Sequence, residues 1–265
     1  MSRFDPESYL RYRVEYPVAL FSPLASFVCG RAGSFHLLDL GAGTGLSSSS
    51  FLKFYPEVTA MSLIDPDPAM LDAASRSSAL QSRSISLVVA PGSEFRVGDQ
   101  ADLVLVGSAW HWMSTCHTMD SILRALKPGG ALFVFEYQFP KAREEGAGAK
   151  INEWIRRAFN STWKEVGQKP RGALPELLRG FFDHPEFSFR GEAKVEQEVA
   201  LTLEDLFGLI LSQSRYLAFE RRLEPEQVQA ARAQVFHDLR QIWGQNQDIP
   251  FTYRFHGIRF QVRNV

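Results

Sequence analysis

Apolar residues along this chain fall into short runs that alternate with amphipathic stretches. From Phe35 onward "FHLLDL", "VTAMSLID", "ISLVVA", "ADLVLVGSA" and "ALFVFEYQ" have the composition of strands, with "ISLVVA" and "ADLVLVGSA" reading as two buried runs. Between them "LSSSSFLKFYP" predicts a helix closed by Pro56, and "DPAMLDAASRSS" a helix capped by Asp67 with Pro68 in its first turn. Met119, Ile122, Leu123 and Leu126 fall at helical spacing before "KPGG" stops the pattern. Near-continuous apolar strands separated by helices predict an α/β fold, a doubly wound and mostly parallel seven-stranded sheet covered on both faces.

After Phe139 the rhythm changes. Ile151, Trp154, Ile155, Ala158, Phe159, Thr162 and Trp163 make one helical stripe, and "GALPELLRGFF" adds a short helix. "LTLEDLFGLILSQSRYL" opens with Thr202 and Asp205 in capping-box spacing, and "EPEQVQAARAQVFHDLRQIW" is a further helix with Pro225 near its start. The alternating "FTYRFHGIRFQVRN" predicts an antiparallel strand at the sheet's edge. The pattern divides the chain into an N-terminal helical lid (1–34), an α/β core (35–140), a helical cap insertion (141–183), and a C-terminal part of the core with additional cap helices (184–265).

Composition narrows the partners. The 265 residues are 45% hydrophobic, enough for a substantial core, and 29 basic residues against 30 acidic ones leave a formal charge of -1 without long blocks of either sign. A small-molecule ligand is expected, with no nucleic acid and no membrane partner, and a monomer or homodimer. Cys29 and Cys116 lack metal-ligand neighbours, and no metal site is expected. The charged N-terminus and the shortness of every apolar run predict a cytoplasmic protein.

The chemistry concentrates where the first strand ends. "LLDLGAGTGLSSSS" places glycines at 41, 43 and 45 and serines at 47–50 where a parallel strand must turn into a helix, the position at which such sheets bind ligands. Glycine admits positive φ and lets a ligand approach the main chain. The serines are suited to helix starts, where their hydroxyls satisfy backbone donors or a polar ligand. A dinucleotide fingerprint needs G-x-G-x-x-G, whereas here the third glycine comes one residue early, which disfavours pyrophosphate. Asp65, at the end of the second strand, is placed to accept two hydrogen bonds from a ribose diol, Asp67 is placed to cap the next helix, and Met70 lies one turn in, suited to an adenine face.

"LDLGAGTG", with its acidic residue two before the first glycine, resembles motif I of the class I, Rossmann-like S-adenosylmethionine-dependent methyltransferases. "RVEYP" at Arg13 to Pro17 is similar to the "R-P-x-Y-P" near the start of the methyltransferase type 11 and trans-aconitate methyltransferase-like families, with Val14 in place of the usual proline. "SAWHWM" is similar to their "A-x-H-W", and "RALKPGGALFVFEYQ" to their "R-x-L-K-P-G-G" and following strand. The resemblance implies S-adenosyl-L-methionine as cofactor and makes 35–140 its binding core. It implies that Asp39 orders the loop and faces the methionine end, and that Gly41, Ala42, Gly43, Thr44, Gly45, Pro66 and Ser108 belong to the cofactor set. Ser93 and Glu94 stand where relatives carry "G-D-A-E" at the adenine; a plain loop is the alternative there.

Acceptor-site candidates are Tyr9, Tyr12, Arg13 and Tyr16, at helical spacing in the lid, and Trp110, His111 and Trp112 just past the fourth strand, with Glu136 and Tyr137 leaving the fifth. Each aromatic has an alternative reading as ordinary packing. His111 is the candidate catalytic base for a hydroxyl or amine, against a purely pocket-shaping role. A carboxylate acceptor needs no base, and Arg13 would hold it. The expected function is methyl transfer to a carboxylate or hydroxyl oxygen of a small molecule, achieved by positioning and exclusion of water. The alternative is a non-catalytic protein that binds the cofactor with the same fold.

Overall fold

The structure, a computed structural model, describes residues 5–29, 33–113, 116–163 and 172–263. Of the expected lid and cap, 1–4, 30–32 and 164–171 lie outside the described residues. Helix α1 (Pro6–Tyr12), a 3-10 turn (Val18–Leu24) and α2 (Ala25–Val28) precede the sheet. There follow β1 (His36–Leu40), α3 (Leu46–Phe54), β2 (Ala60–Asp65), α4 (Pro68–Ser75), β3 (Ser84–Val89) and β4 (Ala101–Gly107). A 3-10 turn (Trp110–Trp112), α5 (Cys116–Ala125), β5 (Leu126–Tyr137) and the two-residue β6 (Lys141–Ala142) come next. The remainder is α6 (Gly146–Arg157) running into a π-helical turn (Ala158–Thr162), α7 (Leu174–Leu177), α8 (Arg179–Phe182), β7 (Phe187–Leu201), α9 (Leu203–Leu211), α10 (Ser214–Glu220), α11 (Pro225–Trp243) and β8 (Ile249–Val262).

The strands form one sheet in the order β3-β2-β1-β4-β5-β8, with β7 on the far side of β8. Strands β1 to β5 are mutually parallel, and β8 runs antiparallel to both β5 and β7. The short β6 continues the line of β5 along β8, pairing Lys141 with Thr252, so it extends the expected seven strands without a further layer. Alternation along each strand feeds two cores. Leu38, Leu40, Val104, Val106, Leu132 and Val134 point to one face, and Leu37, Leu103, Leu105, Phe133 and Phe135 to the other.

Two expectations about strand position are corrected. The C-terminal β8 is not at the edge: it is held between β5 and β7, and Phe251, Tyr253, Phe255, Ile258 and Phe260 are all buried. The outer strands are β7 and β3. Strand β3 was expected to be buried, but its Leu87 and Val89 are exposed, because as the terminal strand it is paired along one side only. Strand β7 went unpredicted, since Glu192, Lys194, Glu196 and Glu198 on its solvent face give it the composition of a surface loop. Charged side chains of this kind keep an unpaired edge from adding further strands.

The caps follow the sequence. Asp67 accepts from the Ala69 N–H at 3.0 Å, and Thr202 and Asp205 exchange hydrogen bonds, each accepting at 3.1 Å from the other's backbone N–H. Within 1–34, α1 stands over the ends of the strands, whereas Leu20, Phe21, Leu24 and Phe27 are buried against the sheet, and Arg259 of β8 donates to the Pro23 carbonyl at 2.8 Å. No helix among the described residues is long and apolar enough to cross a membrane.

Candidate functional site

Strand order reverses between β1 and β4, and a cleft of about 740 Å³ opens at the carboxyl ends of these strands, the place where doubly wound sheets receive ligands. Its floor is the glycine turn. Gly41 and Ala42 donate to the Ile64 carbonyl of β2 at 2.8 and 3.0 Å, folding the turn toward the neighbouring strand. Gly41 has φ 75°, and a Cβ there would stand 2.5 Å from that of Ala109, so this glycine admits the segment that follows β4. Gly43, at φ 53°, faces the cleft itself: a Cβ on it would project there, 3.4 Å from the Met70 methyl.

Asp65 closes this end. Its carboxylate accepts from the backbone N–H of Gly43 and of Asp67, each at 2.9 Å, and it lines the cleft with Pro66 and Met70. Burial raises its pKa above the ordinary aspartate range, and the two N–H donors counteract this. The carboxylate therefore keeps lone pairs for a ligand while bracing the turn.

Asp39, expected to order the loop and face the methionine end, stands behind the turn with its Oδ1 buried and unpartnered. Strand alternation directs it with Leu37 toward α3, where it is wholly buried and accepts from the hydroxyls of Ser47 and of Ser48, the latter at 2.6 Å. It is not on the cleft wall. Burial pushes its pKa up to about 6 against the pull of the two hydroxyls. The serine run thus divides between a buried carboxylate, which the sequence did not suggest, and the backbone groups that were expected. Ser47 and Ser48 clamp Asp39, Ser49 donates to the Leu46 carbonyl, and Ser50 accepts from the Tyr16 N–H at 3.2 Å.

Other expected residues separate in the same way. Ser93, Ser108, His111, Trp112, Tyr9, Arg13 and Tyr137 line the cleft. Ala42 and Thr44 are buried beneath the turn, Gly45 receives Leu80 and Ala74 of the adjoining layer, and Glu94 stands off the wall. Trp110 turns into the core, its ring 5.0 Å from Phe181 and its indole N–H donating to the Leu177 carbonyl at 3.0 Å. Tyr12 packs over Gly208 of α9. Tyr16 is buried behind the wall and donates to the Ser108 hydroxyl at 2.9 Å, supporting a residue whose φ of 50° is unusual for a side chain with a Cβ.

At the opposite end of the cleft Arg13 is the central cation. It donates to the Tyr137 hydroxyl at 3.0 Å and to the Ser212 carbonyl at 2.7 Å, and its guanidinium lies 4.8 Å from the Tyr9 ring centre. Among the described residues it has no ion pair. Its Nε is buried without a partner. His111 lies against Trp112 with centroids 4.7 Å apart and the rings tilted by 46°. Phe139, Phe159, Gln213 and Arg215 complete this end and were not foreseen: Phe159 was read on the stripe of the cap helix, Phe139 was given no role, and Gln213 and Arg215 fell in the helical stretch that the structure breaks between α9 and α10. Met113, also unforeseen, fills the space between Gly41 and Gly92. Trp154 and Trp163 pack against each other at 5.6 Å and are absent from the cleft wall. No group of His, Cys, Asp and Glu among the described residues is arranged to hold a metal ion.

Comparison with known proteins fits this geometry. A family model described as a methyltransferase domain matches residues 38–134. An uncharacterized methyltransferase of Mycobacterium tuberculosis is 32% identical over 209 residues, covering 78% of this chain and 74% of the relative. A thiol S-methyltransferase of Homo sapiens is 30% identical over 154 residues, 56% of this chain and 58% of the human protein. Among solved structures, an S-adenosylmethionine-dependent methyltransferase from Geobacter sulfurreducens, in complex with S-adenosyl-L-homocysteine, shares the fold with a TM-score of 0.52 over 99% of each chain at 17% identity.

Proposed function

The chain belongs to the S-adenosylmethionine-dependent methyltransferases of the methyltransferase type 11 family, and from that premise we propose that it methylates a small molecule on a carboxylate oxygen. The observation that carries this is Arg13, a cation in the cleft with no ion pair among the described residues and an unpartnered Nε. A guanidinium has five N–H donors in a planar fork, and two are used here by Tyr137 and Ser212. The rest suit a carboxylate, whose two oxygens match the fork.

When bound, S-adenosylmethionine would supply an electrophilic methyl to the acceptor oxygen's lone pair, the electrons of the broken C–S bond going to sulfur, with S-adenosylhomocysteine and an ester as the products. The residues at the first end of the cleft fit that group, with the Gly43 main chain bare of side chain, Asp65 offering acceptors for a ribose diol, and Met70 offering an apolar face. Arg13 would orient the acceptor, Tyr137 and Tyr9 fixing the guanidinium between them. Trp112 and Phe139 would keep water from the reacting atoms. With a carboxylate acceptor no proton moves, so His111 shapes the wall and need not act as a base.

A thiol acceptor is the second reading, favoured by the activity named for the human relative. The test is S-adenosylhomocysteine release with parallel panels of carboxylates, phenols and thiols. Carboxylate turnover is expected, and Arg13→Lys should raise the acceptor KM about 10-fold or more, since an ammonium cannot form the fork. Affinity for S-adenosylhomocysteine should stay within about twofold. Turnover confined to thiols would replace the carboxylate reading.

A further inference from the structure

The end of the cleft beyond Arg13 has a composition of its own. Phe139, leaving β5, and Phe159 meet edge to face with centroids 5.4 Å apart, and both line the cleft half-buried. Phe159 stands one helical turn beyond Ile155, at the flank of the stripe that precedes it. The stripe Ile151, Trp154 and Ile155 of α6 faces the core, and in the π-helical turn Ala158–Thr162 that follows the Trp163 N–H donates to the Ala158 carbonyl at 2.8 Å, which sets Trp163 below Ala158. Phe159 then stands on the cleft wall while Trp163 returns to pack on Tyr216 at 5.0 Å. Such turns sacrifice regular hydrogen bonding and recur at functional sites.

Arg215 lies across the same space, its guanidinium 5.9 Å from the Phe159 ring centre, with no ion pair among the described residues. A guanidinium against an aromatic face presents its own flat side to a further π system, and two phenylalanines set edge to face offer complementary edges and faces to a third ring. An aliphatic tail would fill the volume and use none of this.

We propose that this end of the cleft is an aryl subsite, bracketed by Phe139, Phe159 and Arg215, so that the acceptor is an aromatic carboxylic acid whose ring lies here while its carboxylate meets Arg13. The inference rests on the carboxylate reading above for its acid half, and on the bracket of Phe139, Phe159 and Arg215 for its aromatic half.

The test is calorimetric titration of the S-adenosylhomocysteine-loaded protein with benzoate, phenylacetate, 3-phenylpropionate, cyclohexylacetate and 2-phenylethanol. At least one arylcarboxylate should bind five-fold or more tightly than cyclohexylacetate. Phe159→Leu should reduce that preference to about twofold while leaving both S-adenosylhomocysteine affinity and the melting temperature nearly unchanged. Equal binding of phenylacetate and cyclohexylacetate, or a preference untouched by Phe159→Leu and Arg215→Gln alike, would overturn the aryl subsite and leave the carboxylate reading standing. If 2-phenylethanol binds as well as the acids and Arg13→Lys changes nothing, the carboxylate reading fails, and the subsite with it in the form stated.

Discussion

The two ends of the cleft are built by different means. The end proposed for the cofactor is backbone and carboxylate: a glycine turn, the ends of β1 and β2, and Asp65 bracing two N–H groups, all within the stretch 38–134 that the family model matches. The end proposed for the acceptor is side chains gathered from far apart: Arg13 from just past α1, Phe139 after β5, Phe159 from a π turn and Arg215 from α10, every one of them outside that stretch. A group common to all reactions of a family is held by geometry that tolerates little change, and a group particular to one enzyme by residues the fold leaves free to vary. Perturbations at one end should accordingly leave the other intact.

The largest effect is expected at Asp39, beneath the cofactor end. Its folded-state pKa of about 6 exceeds the ordinary 3.8, so the native protein holds the proton more tightly than the unfolded chain. The resulting stability is fully present below about pH 4 and is lost as the pH rises through about 6, a swing of about 3 kcal/mol. Asp39→Asn should lack that slope, as urea unfolding of both proteins at pH 4 and pH 7 would reveal. Parallel slopes would mean that the serine clamp compensates fully for burial.

Asp65→Ala should come next, weakening S-adenosylhomocysteine binding by about 10- to 100-fold, the worth of hydrogen bonds to a charged group, without altering carboxylate binding. Calorimetry with each ligand separately measures the contrast. Equal losses at both ends would dissolve the distinction between them. His111→Ala should have the smallest effect, under about threefold on kcat/KM for a carboxylate acceptor, with a pH profile superimposable on the parent's. Loss of a basic limb in the variant would make His111 a proton acceptor and point to a hydroxyl substrate.

Much of the cofactor end was legible in the sequence because its determinants are local. Gly41, Gly43 and Asp65 announce themselves by residue type and by position at strand ends, and the structure places all three on the cleft. Tyr16 and Trp110 show the limit of that reasoning. Each lies in a segment beside the cleft, but a ring there can turn outward or inward, and the choice is made by Ser108, Phe135 and Phe181, which are distant in the chain. Asp39 was recognisable as important, yet its partners Ser47 and Ser48 emerged only once α3 was seen to lie against the same face of β1. Phe159 was read on the stripe of a regular α-helix, and its place on the cleft wall emerged only once Phe139 and Arg215, distant in the chain, were seen beside it. Strand β7 stayed hidden because an outer strand with one wet face carries the residues of a loop.

Residues 202–248 are threaded between β7 and β8, two strands that remain zipped together from Phe187–Val262 to Leu201–Ile249. Everything in that excursion, Gln213 and Arg215 included, hangs from the sheet as from a closed clasp. On the proposed assignment of the two ends, exchanging or reshaping it would alter which molecule is modified while the donor's cradle keeps its shape, separating the inheritance of a reaction from the choice of what undergoes it.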